Sequence, residues 1–446
     1  MVDENKTGNH IARTIALPAL LVISLLVAQL VIHLKAGIRM SAPIELSRSG
    51  LSLSMPSGNG WKCEEKWTYE NNVFSASSIL VAGGVTNQSY AQCRYLLATR
   101  AGTPQERLDE EHAEAKTTET GQITADQLTV NWASINTDAG IEIILGVCEL
   151  AGGRQLEIEV LQTAAEQGIA KQVFEKIVKS IRFSDNGFLQ AGAQLLSEIR
   201  EEGAKGVLAG DADGGTVSLF AVVDPGGRTI GFTMDAIAAI QTDANTSINA
   251  ADYYYLREPV PDEQVSFFRG GADLRQFTWR VEAISRMGSK GIEMTADSGV
   301  LAVRRSRAGL SVNRQTGRET SEYELGEAAV PDIILGPVLT KVLGSNEQAV
   351  IIDVIRSEGI IMPAYVEKIP PAKGQTDSNS VRMEWLDGRG YWQQTYYDSS
   401  KKATKIMLGQ ESTYTLSPAD ASEIMRIFPE RANLVRDKNQ ILDRKL

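Results

Sequence analysis

Histidine and cysteine are scarce in this sequence, and their positions exclude several kinds of chemistry. The 446 residues include three histidines, His10, His33 and His112. Because no histidine follows His112, the later part of the chain cannot use a Ser-His-Asp or Cys-His catalytic arrangement. No C-x-x-C motif or His/Cys cluster occurs, so the sequence predicts no zinc site, no other metal site and no cofactor.

The three cysteines, Cys63, Cys93 and Cys148, all fall in the first half of the chain. Two interpretations stay open for them. One disulfide with a spare thiol is typical of an exported domain, whereas three reduced thiols buried in strands are equally compatible with the pattern.

Basic residues are outnumbered, and this argues against two classes of partner. Lysine and arginine total 45 against 56 acidic residues, which leaves a net charge of −11. Broad nucleic-acid binding and adhesion to anionic headgroups both need a basic face, so neither is predicted. The 43% apolar content favours packed cores, and the length favours two or three domains.

Charged side chains are absent from one long apolar stretch, Thr14 to Leu34. It has the length of about 20 residues that a membrane-spanning helix needs, and Pro18 falls in its first turn. A cleaved signal peptide is the alternative, but the long run and the lack of a nearby small-residue cleavage site favour a retained signal anchor. The sequence therefore predicts a short tail at 1–13, a transmembrane helix at 14–34 and a juxtamembrane linker at 35–48.

The charges that flank this stretch are nearly balanced, so they determine the orientation weakly. Lys6 and Arg13 precede it, and Lys35, Arg39 and Arg48 follow it. We expect a single-pass protein of a bacterial envelope whose soluble part is periplasmic or otherwise outside the cytoplasm. A cytoplasm-facing scaffold is the alternative.

The first soluble domain is predicted over residues 49–184 as strands with two helices. Leu51 to Met55 alternates with period two, as a strand does. Thr103-Pro104-Gln105-Glu106 has the residues of a helix start, and that helix is predicted to run to about Thr117. After strands that include Ile123 to Asn136, a closing amphipathic helix is predicted at about Ala170 to Ser180.

Two segments of this domain resemble the PsbP-like fold. They are GLSLSMPSGNGW at its start and FEKIVKSIRF at its end. The resemblance implies an antiparallel sheet flanked by helices. It also implies a binding or assembly role, because members of that family are mostly accessory factors without a shared active site. No functional residue is carried over.

The second domain is predicted over residues 188–430, before a charged tail at 431–446. A helix at Leu189 to Glu202 precedes a long run of strands, and an apolar helix interrupts them at Pro331 to Leu343. In layout, FTWRVEAISRMGSKGIEMTADSGVLAVRR followed by AVPDIILGPVLTKVL is similar to the carrier proteins LolA and LolB. That resemblance implies a curved half-barrel around helices with an apolar concavity, and no ligand-binding residue is carried over.

Two groups of residues in the second domain are candidate contacts for a partner or ligand. Arg304, Arg305 and Arg307, with Arg314 and Arg318 nearby, could hold an anionic headgroup or the carboxylates of a partner. A solvated hairpin edge is the alternative for this group.

The second group is an aromatic hairpin. Tyr391, Trp392, Tyr396 and Tyr397, beside Trp385, could form a ligand or glycan platform. Ordinary cross-strand pairing is the alternative. Asp211 to Thr216 departs from both EF-hand and phosphatase loops, so it is interpreted as a solvated turn.

These observations predict an α+β protein: a transmembrane helix, a PsbP-like sheet flanked by helices, and a larger β-rich domain with a few helices. The predicted function is non-catalytic binding or assembly, with a protein partner or a lipid-like, apolar ligand. The alternative is a hydrolase that uses carboxylates alone. For glycosides, such a site needs two carboxyl groups about 5 to 9 Å apart, and a sequence cannot show that convergence.

Overall fold

Strand is the main secondary structure of this chain. The computed structural model describes residues 38–70, 72–82, 85–163, 169–208, 216–241, 246–258, 262–274, 276–288, 291–293, 297–305, 310–316, 319–326, 328–356, 360–370, 379–410 and 413–436. Between 280 and 325 it describes the backbone alone.

The N-terminal part contains short strands, a large sheet and two helices. Its elements are β1 (Arg39–Met40), β2 (Ile44–Leu46), β3 (Leu51–Leu53), β4 (Pro56–Ser57), β5 (Trp61–Cys63), β6 (Thr68–Glu70), β7 (Val73–Ala82), β8 (Val85–Leu96), α1 (Pro104–Glu111), β9 (Lys116–Ala125), β10 (Leu128–Asn136), β11 (Glu142–Leu150), β12 (Arg154–Gln162), α2 (Ile169–Ser180) and β13 (Arg182–Phe183). Strands β1 and β2 lie in the stretch predicted to be a linker.

An eight-stranded antiparallel sheet forms the centre of this part, in the order β5-β7-β8-β12-β11-β10-β9 with β6 paired to β7. Helix α2 places Val173, Phe174 and Ile177 on one face of the sheet, and Leu108 of α1 packs on the opposite face. Arg107 of α1 is also buried, where its Nη1 lies 2.5 Å from Glu157 Oε1 of β12. Helix α1 is therefore attached through one leucine and one buried ion pair, as its highly charged sequence suggests.

The C-terminal part contains one very large sheet. Its elements are α3 (Phe188–Glu202), α4 (Ala204–Val207), β14 (Thr216–Val223), β15 (Thr229–Gln241), β16 (Thr246–Leu256), β17 (Asp262–Gly271), β18 (Gln276–Gly288), β19 (Gly291–Glu293), β20 (Asp297–Arg305), β21 (Leu310–Thr316), β22 (Glu319–Leu325), β23 (Ala329–Pro331), α5 (Leu335–Gly344), β24 (Ala349–Ile355), β25 (Ile361–Ile369), β26 (Asn379–Trp385), β27 (Trp392–Tyr397), β28 (Ala403–Gly409), β29 (Thr413–Pro418), α6 (Ala421–Ile427) and α7 (Ala432–Arg436).

The sheet has sixteen strands, which form two antiparallel meanders joined by the pairing of β14 with β29, except that the edge strand β23 pairs in parallel with β24. Side chains of a strand alternate between the two faces of a sheet. We call inner the face whose apolar residues, such as Ile248 and Val350, share one core with α3, α4 and α5. On the outer face, Phe232 and Tyr253 pack against Ile424 and Phe428 of the C-terminal helix α6.

Helix α3 lies unusually close to the large sheet because of one glycine. A Cβ atom at Gly192 would lie 1.9 Å from the backbone oxygen of Ile351 in β24, so no other residue fits without a shift of the helix. The inner concavity next to this strand is filled by the chain's own helices.

The predicted α+β class is wrong, because the chain is mainly β. Helix α1 ends at Glu111 rather than near Thr117, and β9 begins at Lys116. The single strand predicted from Ile123 to Asn136 is split by a turn at Asp126, whose φ of 55° is left-handed. The pairing of β9 with β10 outweighs the helical tendency of the charged residues between Glu111 and Thr117.

Among the described residues, no helix is long and apolar enough to cross a bilayer. The predicted span at Thr14 to Leu34 and the tail before it lie outside those residues. The structure therefore gives the predicted single-pass location no support, and we withdraw that prediction.

Candidate functional site

The two large sheets meet around a depression that is open to solvent and has a volume of about 40 Å³. The N-terminal sheet, helix α3 and strands β24 and β25 supply its mainly apolar wall, which includes Leu46, Phe74, Leu97, Leu189, Ile351 and Leu386. Apolar pockets at the junction of two structural units, with a few polar groups, are the usual form of small-molecule sites.

One ion pair crosses the junction beside this cavity. Arg154, at the start of β12, also lines the cavity, and its Nη2 lies 2.6 Å from Asp353 Oδ1 of β24. Arg154 is 2% exposed and Asp353 is 1% exposed, so water screens neither charge. Nη1 of Arg154 donates to the Leu97 carbonyl oxygen at 2.7 Å. The pair therefore joins the two sheets and places a guanidinium group at the cavity.

Polar residues surround the mouth of the cavity, and a hydrogen bond and a cation–π contact fix their positions. Asn186 Nδ2 donates to the Arg48 carbonyl oxygen at 2.8 Å, and the Arg48 guanidinium lies 4.4 Å from the centre of the Tyr365 ring. Gly50 has a φ of 74°, and a Cβ atom there would lie 1.9 Å from the Ser184 oxygen. The chain reversal at residues 47–50 thus bridges both structural units at the edge of the opening.

A second feature is a row of polar side chains on the inner face of the large sheet. Ser218, Asp235, Asp252 and Ser266 are direct partners across β14, β15, β16 and β17. Directly opposed residues share a face, and the neighbouring row contains Ile237, Ala250 and Phe268 of the apolar core. The carboxyl groups of Asp235 and Asp252 interact through a hydrogen bond.

The surroundings of this carboxylate pair favour one retained proton. Desolvation raises the pKa of Asp252 well above its usual range, and the charge of Asp235 and the hydrogen bond with it add to this effect. Desolvation also raises the pKa of Asp235. Asp235 is nevertheless exposed and Asp252 half-buried, so water can reach the pair. Such a pair can exchange a proton with solvent or ligand.

The structure divides the predicted aromatic platform between the two faces of the sheet. Tyr397 is 3% exposed in the inner core, where burial raises its pKa to about 12. Trp392 and Tyr396 lie on the outer face, each beneath a cationic side chain. The Arg382 guanidinium lies 5.0 Å from the centre of the Trp392 ring, and Lys405 Nζ lies 5.7 Å from the centre of the Tyr396 ring. Tyr391 is 43% exposed in the turn before β27. These four side chains do not form one surface.

The predicted arginine group lies mostly outside what the structure describes. Arg304 and Arg305 belong to β20, opposite Ser311 and Leu310 of β21, and their side chains are not described. Arg307, Arg318 and the loop at 211–215 lie outside the described residues. Within the described part of the chain, no group of His, Cys, Asp and Glu side chains could hold a metal ion.

Sequence reasoning did not identify either feature that the structure presents. A signal did exist for the carboxylate pair, because Asp235 and Asp252 are the only charged residues of β15 and β16. The same signal marks Asp353, the one charged residue of the apolar strand β24, but nothing in the sequence pairs it with Arg154, which lies 199 residues away. The three cysteines are free thiols, with Cys93 and Cys148 buried and Cys63 half-buried.

Comparisons with known proteins assign the chain to no family. No protein-family description matches it, and no curated protein matches it. Among solved structures, a β-barrel-like protein of a domain of unknown function, DUF1849, from Brucella abortus is similar at a TM-score of 0.35 and 8% identity. The likeness covers 46% of this chain and 96% of that one. No finding connects the chain to PsbP-like or LolA-like proteins.

Proposed function

We propose that this chain is a non-catalytic binding protein that holds a small, mostly apolar ligand in the cavity between its two sheets. The observation that carries the proposal is the placement of Arg154 beside the apolar cavity, buried and paired with Asp353 across the junction. A ligand at this position would contact both structural units and so favour their docked arrangement, because ligand binding to the folded state stabilises it.

Several observations favour this cavity over the concavity implied by the carrier-like resemblance. The apolar part of the inner face already packs on the chain's own helices. The depression between the sheets is open to solvent, so a ligand can reach its apolar wall from outside. PsbP-like accessory factors and LolA-like carriers are both binding proteins, so either resemblance agrees with a binding role.

Native mass spectrometry of the full chain, before and after organic extraction, tests the proposal. We expect an adduct of a few hundred daltons that extraction removes. Ala151 is exposed and lines the cavity, so Ala151→Trp should block it and abolish the adduct. Ala139→Trp, in an exposed turn of the same sheet, is the matched control and should retain it. A bare mass for the parent chain, or an adduct that survives Ala151→Trp, contradicts the proposal.

Hydrolysis by paired carboxylates is the second candidate function, because Asp235 and Asp252 do converge. The two residues are directly opposed across β15 and β16, and their carboxyl groups interact. This arrangement matches a pair that shares one proton and activates a water molecule. Digestion of a fluorescently labelled unfolded protein between pH 4 and 7 tests this candidate. Cleavage should disappear in both Asp235→Asn and Asp252→Asn, and an inactive parent chain would eliminate it.

A further inference from the structure

Strand β9 is an edge of the eight-stranded sheet and pairs on one side only, with β10. With ten residues it is the longest edge strand that the structure describes. The edge strands β5 and β23 have three residues each, and β22, with seven, contains three glutamates. Short length and charged side chains both protect an edge from pairing with another chain, and β9 is not short.

The second half of β9 also lacks the other usual forms of protection. Residues 120–125 contain no charged residue and no proline, and the register shift of the β9–β10 pair lies before them. Within the described part of the chain, only β10 makes backbone hydrogen bonds to this segment. Gly121 has no side chain, so its partial exposure shows that water reaches the backbone. Another strand could therefore reach the unpaired N–H and C=O groups.

The sequence of this segment is nearly symmetric about Gln122, with Thr120 and Thr124 two positions away on either side. These three side chains share one face of the strand, and all are exposed. In antiparallel pairing about a two-fold axis through Gln122, Thr120 lies opposite Thr124 of a second copy, and Gln122 lies opposite itself. Threonine pairs and opposed amides can both hydrogen-bond across neighbouring strands.

The other face of β9 fits the same register. Ile123 would lie opposite Gly121 of the second copy, where the Trp132 indole already lies close, since a Cβ atom at Gly121 would be 2.9 Å from Trp132 Nε1. The isoleucine would therefore meet an apolar surface. Glu119 would lie opposite Ala125, and its Oε1 is 2.5 Å from Lys171 Nζ of its own chain. No two like charges are opposed, although the chain has a net charge of −11.

We propose that β9 is a dimerisation strand whose partner is a second copy of this chain. The two copies pair antiparallel through residues 119–125 and join their eight-stranded sheets into one continuous sheet. Such an interface is isologous, which is the commonest symmetry of protein dimers. The proposal goes beyond the ligand-binding function, because no residue of β9 lines the cavity.

Sedimentation equilibrium of the full-length chain at rising concentration tests the proposal. We expect the mass to rise from 48.5 kDa towards twice that value. Thr120→Glu combined with Thr124→Glu places like charges opposite each other at both positions, and should weaken the dimer at least about tenfold. Thr120→Glu combined with Thr124→Lys changes the same exposed residues but opposes unlike charges, so it is the matched control and should retain the dimer.

Cross-linking locates the two-fold axis. Directly opposed residues of antiparallel strands have Cα atoms about 4.5–5.5 Å apart, which a disulfide can span. Gln122→Cys should therefore form a covalent dimer under mild oxidation. Thr129→Cys, on the same face of β10 and equally exposed, is the control and should not, and the parent chain controls for Cys63.

Three other outcomes overturn the proposal. A parent chain that stays monomeric at every concentration would leave this edge to a strand of a different protein. A dimer that both double variants retain, with no preferential cross-link at Gln122→Cys, would use another surface. Equal weakening by the two double variants, without that cross-link, would contradict the pairing through Gln122. Because both double variants alter exposed threonines, matching thermal unfolding curves would show that neither result reflects misfolding.

Discussion

Asp353 and Asp252 both belong to the large sheet, yet they meet opposite electrostatic surroundings. Asp353 lies in a dry junction against a buried arginine. Asp252 lies on the inner face, where water reaches it, against a second carboxyl group. A buried pair of opposite charges holds two parts of a structure in register, and removal of one partner leaves an uncompensated charge. A pair of like charges opposes folding whenever both are ionised.

The difference suggests separate roles for the two regions. The junction has a rigid, charge-balanced wall, which suits the binding of a mostly apolar molecule. The inner face has a carboxylate pair that the fold must keep partly protonated, which suits proton exchange. The first feature arises where two separate sheets meet, and the second from the register of two consecutive strands, β15 and β16.

The largest expected effect comes from removal of the junction charge. Asp353→Ala leaves Arg154 buried without a partner, and we expect the free energy of unfolding to fall by about 3–5 kcal/mol. Urea denaturation followed by tryptophan fluorescence measures the change. Glu258→Ala is the control, because its 2.7 Å pair with Arg228 is exposed and should contribute at most about 1 kcal/mol. Similar losses in the two variants would show that the junction pair is not dry.

A double substitution sharpens the same comparison and should have a smaller effect. Arg154→Met combined with Asp353→Leu removes both charges and keeps apolar volume at the junction. We expect it to recover most of the loss and to come within about 1–2 kcal/mol of the parent chain, with the freed Leu97 carbonyl oxygen as the main remaining cost. The same urea titration measures it. A double variant as unstable as Asp353→Ala would show that the pair's hydrogen bonds, rather than its charge balance, support the junction.

The smallest effect is expected at the carboxylate pair of the inner face, and its sign depends on pH. Because the pKa of Asp252 is raised in the folded state, the folded chain keeps a proton that the unfolded chain releases above about pH 4. Stability should therefore fall as pH rises from that value towards the folded pKa. Asp252→Asn removes this penalty, so it should match the parent chain near pH 4 and exceed its stability at pH 8 by about 1 kcal/mol.

Thermal unfolding at pH 4 and pH 8 tests that sign. Asp224→Asn is the control, and its expected effect on stability at pH 8 has the opposite sign. The Arg228 backbone N–H donates a hydrogen bond to the Asp224 carboxylate, and this contact is the main reason that the pKa of Asp224 is lowered. The Asp224 carboxylate therefore supports folding above its unfolded pKa, and its replacement should lower stability at pH 8. An Asp252→Asn chain less stable than the parent at pH 8 would mean that the ionised pair makes a favourable contact.

Several local predictions were confirmed because neighbouring residues decide them. The start of α1 has both contacts of a capping box, with Glu106 N donating to Thr103 Oγ1 at 3.2 Å and Thr103 N donating to Glu106 Oε2 at 2.7 Å. The closing helix occupies Ile169–Ser180, and its predicted apolar face is buried. Asp224-Pro225-Gly226-Gly227 has the residue types of a tight turn, and it connects β14 and β15 as a hairpin.

Predictions failed where a partner distant in sequence decides the outcome. Ser417 followed by Pro418 has the sequence of a helix start, yet Asp420 caps the last helix, because Ser417 and Pro418 belong to β29, which pairs with β14 and β28. The predicted aromatic surface failed for a related reason. Consecutive residues of one strand point to opposite faces, so Tyr396 and Tyr397 cannot contribute to one surface.

The sequence by itself determined the scarcity of histidine and cysteine, the acidic charge, the cap of α1 and the turn between β14 and β15, because each depends on composition or on contacts within a few residues. Only the tertiary structure decided the mainly β class, the docking of α3 through Gly192, and the two candidate features. Arg154 meets Asp353 across 199 residues of sequence, and Asp235 meets Asp252 through the register of two strands. The register of the strands and the docking of the sheets depend on the apolar surface buried over whole sheets. A short stretch of sequence cannot determine that total.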